Sequence, residues 1–160
     1  MKSLRGKLRF AVPLGLSALM LAASGALTPA SAATHWSYAS GHTSMCLSAM
    51  TNGDKVTTFD CNPRNNQQRW YWGSESNSWQ GHTMKRLVNV ATGACLTTDD
   101  KTELNAVWLA PCGNRSGQFW TADDKRLQNQ NGNFLTNDSY YLHTVREYTD
   151  APILRWIGYT

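Results

Sequence analysis

Short runs of residues that alternate between apolar and polar side chains, or are rich in β-branched ones, recur along most of the chain. Residues 87–90, 106–109 and 141–145 are three such runs, and their pattern is typical of β-strands. Asn-Gly pairs at 52–53 and 131–132 indicate tight turns. Since no long segment has the helical spacing of about 3.6 residues per turn, the pattern predicts an all-β fold.

Residues 1–32 have the features of a secretory signal peptide. Four basic residues precede a mostly apolar stretch at 10–27, and an Ala-Ser-Ala sequence at 30–32 fits a cleavage site. An uncleaved membrane anchor is the alternative, but proline and glycine residues interrupt the stretch. We therefore predict cleavage after the Ala-Ser-Ala sequence, a secreted domain at residues 33–160, and no membrane span after cleavage.

Removal of this segment changes the charge of the protein. The whole chain carries 15 basic and 11 acidic residues, and four of the basic residues lie in the segment, which leaves 11 of each sign. The domain is therefore formally neutral, and the net charge of +4 for the whole chain gives no support to nucleic-acid binding. We expect no nucleic-acid partner.

The domain has four cysteines, an even number that in a secreted protein favours two disulfides. A zinc site is the alternative, but no two cysteines have CxxC spacing and the four histidines are scattered. We therefore predict disulfides and no metal site. The cysteines are Cys46, Cys61, Cys95 and Cys112.

One pattern occurs twice: a glycine, Cys-Leu followed by Ser or Thr, a β-rich run, a second cysteine and then Gln-x-Trp. The first copy ends at Trp70 and the second at Trp120, 50 residues later. An eroded third copy ends at Trp156, with Phe134 in the place of the first cysteine and Tyr148 in the place of the second. An aromatic pair fills the same space between two loops, so we predict that it replaces a disulfide.

These repeats, at about 36–72, 86–121 and 125–160, predict how the domain folds. Each unit of about forty residues is too small to bury its apolar face alone, so the three must close on one another. An all-β domain made of three such units fits a β-trefoil with three pseudo-repeats. A β-sandwich is the alternative, although it does not require an internal repeat.

At these residues the sequence resembles the ricin B-type lectin family, whose signature is the repeated Cys-Leu, Cys and Gln-x-Trp pattern. The resemblance implies a β-trefoil, two intra-repeat disulfides, Cys46–Cys61 and Cys95–Cys112, and three equivalent sites for galactose-type or related sugars. We interpret Gln68 and Gln118 mainly as fold residues whose amides bond buried backbone groups. The tryptophans of the same motifs are expected to fill the core.

Sugar binding in the resembled family uses an acidic residue directly after Cys-Leu. Here Ser48, Thr97 and Thr136 take that place. A hydroxyl group cannot form the charge-assisted bidentate pair of a carboxylate, so the resemblance implies degenerate sugar sites.

Other parts of the sugar site are kept. In the first repeat, Phe59 stands two residues before the second cysteine, where the family stacks an aromatic ring on the sugar, and Gln67 adds an amide. In the second repeat, Trp108 shares a strand face with that position, and Asp99 is a displaced acid. We rank the first repeat above the second and the second above the third, with a loop that binds nothing specific as the alternative at each. The candidate sugar-binding residues are Ser48, Phe59, Gln67, Gln68, Thr97, Asp99, Trp108, Asn114 and Gln118.

Residues 110–121, with the Cys-Leu-Thr-Thr sequence before them, are also similar to the lectin-like binding subunits of cytolethal distending toxins. That resemblance implies contact with another secreted protein through exposed aromatic residues. The candidates for such a patch are Trp36, Tyr38, Tyr71, Trp72 and Trp79.

No catalytic machinery is evident. The chain has no nucleophile motif, no glycine-rich phosphate loop and no zinc-protease motif. Its adjacent aspartates at 99–100 and 123–124 are typical of solvated loops. We therefore predict a secreted, non-catalytic carbohydrate-binding module that needs no cofactor. The alternative is a protein-interaction or delivery subunit of a secreted toxin or hydrolase complex.

Overall fold

The computed structural model describes residues 33–99, 104–139, 141–146 and 148–160. By its contacts the chain divides into Met1–Ser31 and Ala32–Thr160. The predicted signal peptide lies outside the described residues, so its cleavage stays a prediction. In the described part of the chain, no helix is long and apolar enough to cross a membrane.

Short β-strands joined by turns and single-turn 3-10 helices make up the described part of the chain, as the alternating pattern predicts. In chain order the strands are β1 (Ser37–Ser40), β2 (Cys46–Ala49), β3 (Val56–Phe59), β4 (Trp70–Trp79), β5 (His82–Asn89), β6 (Cys95–Thr98), β7 (Asn105–Ala110), β8 (Phe119–Thr121), β9 (Gln128–Asn129), β10 (Phe134–Asn137), β11 (Leu142–Val145) and β12 (Trp156–Tyr159). The 3-10 helices are η1 (Asn66–Gln68), η2 (Ser116–Gln118), η3 (Asp123–Lys125) and η4 (Pro152–Leu154).

Each repeat contributes four strands, of which the middle two form a hairpin and the outer two enter a barrel. Around the barrel, β12 pairs with β1, β4 with β5, β5 with β8, and β8 with β9. A bridge between Trp36 and Trp70 joins the start of β1 to β4. The hairpins β2–β3, β6–β7 and β10–β11 are linked to one another through β7, which pairs with β11 and is bridged by Lys55. This three-fold arrangement confirms the predicted β-trefoil.

The connection between the first two repeats is a longer hairpin than the sequence predicts. The predicted strand at 87–90 is only the last part of β5, and β4 runs beside it for most of its ten residues. Gln80 and Gly81 form the turn with φ values of 46° and 84°, the positive angles of a type I′ hairpin turn. Beyond the barrel, Asn77 Nδ2 donates to Gln130 Oε1 at 3.0 Å, so the hairpin lies against the third repeat.

Three tryptophans, one from each repeat, fill the core as predicted. All three are at most 2% exposed, and each indole N–H donates to the carbonyl of a buried leucine that follows the first-cysteine position. The three donor–acceptor pairs are Trp70 to Leu47 at 3.0 Å, Trp120 to Leu96 at 2.9 Å and Trp156 to Leu135 at 3.0 Å. The repeated bond satisfies two buried polar groups per repeat and fixes the same geometry three times.

The covalent links agree with the repeat alignment. Disulfides join Cys46 to Cys61 and Cys95 to Cys112, as the family resemblance implies. In the third repeat, the rings of Phe134 and Tyr148 meet edge to face with their centroids 5.6 Å apart. This contact confirms that an aromatic pair takes the place of the third disulfide.

Candidate functional site

The two Gln-x-Trp glutamines brace the loop around the second cysteine of each disulfide. Gln118 Oε1 accepts a hydrogen bond from the Gly113 backbone N–H at 2.7 Å, and its Nε2 donates to the Pro111 carbonyl at 3.1 Å. Gln68 makes the corresponding two bonds in the first repeat at 2.7 and 2.9 Å. Both side chains are 1% exposed, so their amides hold the backbone and do not reach the surface where a sugar would lie.

The residues in the place of the family's acid lie below the surface. Ser48, Thr97 and Thr136 are each 1% exposed. Thr97 Oγ1 accepts from Gln118 Nε2 and donates to the Cys95 carbonyl, both at 3.0 Å. Because a hydroxyl group has a single proton, the Thr97 hydroxyl is fully used in bonds that hold the fold.

A concave pocket of about 340 Å³ lies at the mouth of the second repeat. It brings together three of the residues predicted for this repeat: Thr97, Asp99 and Trp108. The register of the β6–β7 hairpin explains why, since Thr97 lies directly opposite Trp108, and facing residues of an antiparallel pair project from the same face. Asp99 follows directly after the end of β6.

The opposite wall of this pocket comes from η2 and the residue before it. Arg115, Ser116 and Gly117 line it. A Cβ atom on Gly117 would lie 2.0 Å from the Thr98 carbonyl oxygen, so only glycine lets the turn approach β6 this closely. The amide that the family carries before its glutamine is therefore sterically excluded here.

Sequence reasoning missed Arg115 and Ser116 as site residues. The one available signal was their position in the turn before Gln118, which corresponds to Asn65 and Asn66, just before Gln67, in the first repeat. Arg115 is exposed and supplies a guanidinium group, with five N–H donors, to a pocket that also contains a carboxylate and an indole.

Asn114 lies outside the residues that line this pocket. Its Oδ1 accepts a hydrogen bond from Arg86 Nη2 at 2.6 Å, and Arg86 Nε donates to the Gly113 carbonyl at 2.8 Å. Arg86 also pairs with Glu75 and lies over the ring of Phe119. The asparagine therefore ties the cysteine loop to β5.

The first-repeat candidates lie in separate elements. Phe59 ends β3, opposite Cys46, and exposes 51% of its surface. Gln67 lies in η1, where its Nε2 donates to Thr51 Oγ1 at 3.4 Å. The exposed ring is compatible with stacking, while the half-buried amide is already engaged.

Among the described residues, no group of three or more His, Cys, Asp or Glu side chains is arranged to hold a metal ion. Of the proposed aromatic patch, Tyr38 is 2% exposed and belongs to the core, so it cannot contribute to a docking surface. The remaining four patch residues, Trp36, Tyr71, Trp72 and Trp79, are half-buried.

No protein-family model and no curated protein sequence matches the chain. Solved structures do. The designed three-fold symmetric protein ThreeFoil superposes with a TM-score of 0.62 at 15% identity, over 78% of this chain and 96% of its own. The earthworm R-type lectin C-half, in complex with GalNAc, gives a TM-score of 0.56 at 16% identity, over 78% of this chain and 96% of its own.

A non-toxic homologue of type II RIPs from bitter gourd (Momordica charantia), in complex with α-methyl-D-galactoside, gives a TM-score of 0.60 at 16% identity. The match covers 80% of this chain and 48% of the bitter gourd chain, so this chain spans about half of that protein's length. Identities this low report on the backbone arrangement. The likenesses identify the fold of this chain as the β-trefoil of ricin B-type lectins.

Proposed function

We propose that the domain binds carbohydrate through the pocket of the second repeat. The observation that carries the proposal is the set of groups around that pocket: the Trp108 indole, the Asp99 carboxylate and the Arg115 guanidinium. A pyranose ring has an apolar C–H face and a rim of hydroxyls. An aromatic plane beside charged donors and acceptors in an open concavity suits both parts.

The fold supports the same proposal by analogy. The bitter gourd and earthworm proteins are described with α-methyl-D-galactoside and GalNAc bound. Because a fold hosts many functions, these two sugars serve as first probes and not as an assignment.

The pocket differs from the family pattern in where its acid stands. With Thr97 buried and bonded to Gln118, the carboxylate that accepts from sugar hydroxyls is provided by Asp99, two residues later. We expect weaker binding than a bidentate acid at position 97 provides, because Asp99 follows the end of its strand and the hydroxyl of Thr97 supplies no charge.

The test is calorimetric titration of the folded protein with methyl-α-galactoside and GalNAc, followed by a broader glycan panel. Trp108→Ala removes the stacking surface, worth about 0.5–1.5 kcal/mol, and is expected to weaken binding roughly 2- to 12-fold. Asp99→Asn, which removes the charge of the carboxylate, is also expected to weaken sugar binding, and added salt is not expected to restore it. Tyr141→Ala, which removes an aromatic ring that is 74% exposed elsewhere, is the matched control.

Two results would contradict the proposal. If no sugar in the panel binds to the folded protein at millimolar concentration, the carbohydrate function is wrong. If Phe59→Ala weakens binding while Trp108→Ala does not, the site is in the first repeat, as the sequence ranking has it.

We also propose that the module is non-catalytic and acts outside the cell. Two disulfides in so small a domain are typical of an oxidising compartment, which supports secretion. Binding to a toxin or hydrolase subunit stays the alternative from sequence, and the burial of Tyr38 weakens the aromatic patch on which it depends.

A further inference from the structure

A second cavity opens at the end of the barrel opposite the β2–β3, β6–β7 and β10–β11 hairpins, where residues of β4 and β5 line it. It consists of two adjoining pockets, of about 310 and 260 Å³, that share Trp72 and Ala122; we call it the axial cavity. Its lining shares no residue with the second-repeat pocket. The sugar proposal therefore neither requires nor explains it.

Three equivalent positions show why the axial cavity exists. Trp72, Ala122 and Gly158 each follow the core tryptophan of their repeat by two residues, and side chains two apart in a strand project from the same face. All three line the cavity. Where the first repeat has an indole, the second has only the methyl group of Ala122, which leaves its part of the ring unfilled. In the third repeat the rings of Tyr38 and Trp36 take the space at Gly158, where a Cβ atom would lie 3.1 and 3.3 Å from them.

A second ring of equivalent positions supplies the charge. Trp36, Lys85 and Lys125 each precede a core residue, Tyr38, Leu87 and Leu127 respectively, by two positions. All three again line the cavity, and Lys85 lies opposite Trp120 in the β5–β8 pairing. The ring therefore consists of one indole and two ammonium groups, set around the three-fold axis.

The floor of the axial cavity is apolar. Trp120, Trp156 and Tyr38 line it and are at most 2% exposed. The rings of Tyr38 and Trp72 meet edge to face with their centroids 6.3 Å apart. Burial raises the pKa of the Tyr38 phenol above its usual range, as expected for a hydroxyl group that lies in an apolar floor.

The lysines at the rim are not neutralised within the described residues. Neither Lys85 nor Lys125 makes an ion pair there. The one carboxylate among the lining residues, Asp123, is bonded to His82 Nδ1 at 2.6 Å. An unpaired ammonium beside an aromatic wall and above an apolar floor leaves both charge and apolar surface exposed to water.

We infer that the axial cavity binds a small aromatic anion: a planar apolar ring that carries one carboxylate, sulfate or phosphate group. The ring packs against Trp36 and Trp72 in the space beside Ala122 that the two pockets share. The anionic group meets Lys85 and Lys125 at the rim. Aromatic packing accounts for the indole wall, and charge complementarity accounts for two lysines at positions that the first repeat fills with tryptophan.

The test uses naphthalene-2-sulfonate and its neutral counterpart naphthalene-2-methanol, titrated into the folded protein and followed by calorimetry and saturation-transfer NMR. We expect the sulfonate to bind more tightly than the alcohol. Lys85→Gln and Lys125→Gln are each expected to weaken sulfonate binding roughly 3-fold, as for a solvent-accessible ion pair, and to leave alcohol binding unchanged. Arg64→Gln removes an exposed cation in another loop and is the matched control.

A steric variant tests the location. Ala122→Phe fills the space shared by the two pockets and is expected to abolish binding of both probes; if it does not fold, Ala122→Leu and the lysine variants carry the test. The inference is wrong if sulfonate and alcohol bind equally, if the folded wild-type protein binds neither at millimolar concentration, or if Arg64→Gln weakens binding as much as the lysine variants do.

Discussion

Gly117 sets how closely the η2 turn approaches strand β6. The contact of 2.0 Å that a Cβ atom would make is with a backbone carbonyl, which cannot rotate away as a side chain can. From the sequence alone, Gly117 only indicates that the amide residue found before the glutamine in the resembled family is missing. In the structure it is the residue that shapes one wall of the proposed sugar pocket.

Gly117→Ala is therefore expected to lower the free energy of unfolding by about 1–3 kcal/mol, because strand and turn must separate to admit the methyl group. Gly113→Ala is the matched control, since its Cβ atom would lie 3.8 Å from the nearest side-chain atom, an ordinary contact. Urea unfolding followed by tryptophan fluorescence measures both. Equal midpoints for the two variants would contradict the steric argument.

Several side-chain roles could be predicted at this scale because a repeated motif has a repeated cause. The core tryptophans and the Gln68 and Gln118 amides have the contacts expected of them. The role of Asn114 could not be predicted. It does not line the pocket, and its side chain instead bonds Arg86, which is 28 residues away in sequence. No local pattern reveals such a contact.

At the level of elements, the three loops that follow the hairpins are closed in two different ways. The first two repeats use disulfides with sequence separations of 15 and 17 residues. The third uses the Phe134–Tyr148 ring contact, and the Arg126 guanidinium lies 4.6 Å from the Tyr148 ring centroid. A covalent link restricts the unfolded chain, whereas a ring contact acts only in the folded one.

Replacement of both Cys95 and Cys112 by alanine is thus expected to cost about 3 kcal/mol of stability. Tyr148→Ala is expected to cost about 0.5–1.5 kcal/mol, because it removes a ring contact at a residue that is 59% exposed. Thermal unfolding under nonreducing conditions compares the two variants. A larger loss of stability from Tyr148→Ala than from the double cysteine variant would contradict the expectation that a ring contact stabilises its loop less than a disulfide does.

Asp150 connects two other elements of the third repeat. Its Oδ1 accepts from Arg155 Nη2, after helix η4, and from Arg126 Nη2, before strand β9, both at 2.9 Å. The hydrogen bond and charge of Arg155 are the main reason that the pKa of Asp150 lies below its usual range, with Arg126 adding to them. The ionised carboxylate therefore holds the two elements together.

Because folding lowers the pKa of Asp150, its contribution to stability is present at neutral pH. That contribution is lost as the pH falls through the usual aspartate range, about 4, towards the lowered value. We expect Asp150→Asn to lose less stability than the wild type when urea unfolding at pH 7 is compared with unfolding at pH 3. Arg155→Gln removes the main partner and is expected to flatten the profile in the same way. An unchanged acid response in both variants would contradict this assignment.

For the whole molecule, the β-trefoil could be predicted because the repeat forces three small apolar faces to close on one another. The long β4–β5 hairpin could not be predicted, since the run from 71 to 81 is polar and lacks a clear alternation. The axial cavity could not be predicted from the sequence for another reason, because it depends on differences between equivalent residues of the three repeats. Trp72, Ala122 and Gly158 are unremarkable singly, and their equivalence becomes visible only when the barrel is closed.

Strands β1 and β12 pair along their length, from Ser37 with Tyr159 to Ser40 with Trp156. The barrel therefore requires β12, and the third core tryptophan is the first residue of that strand. During synthesis, β1 has no partner for this seam until residues 156–159 have also left the ribosome. The barrel can therefore close only after the whole domain has been made, so the first two repeats cannot complete it by themselves.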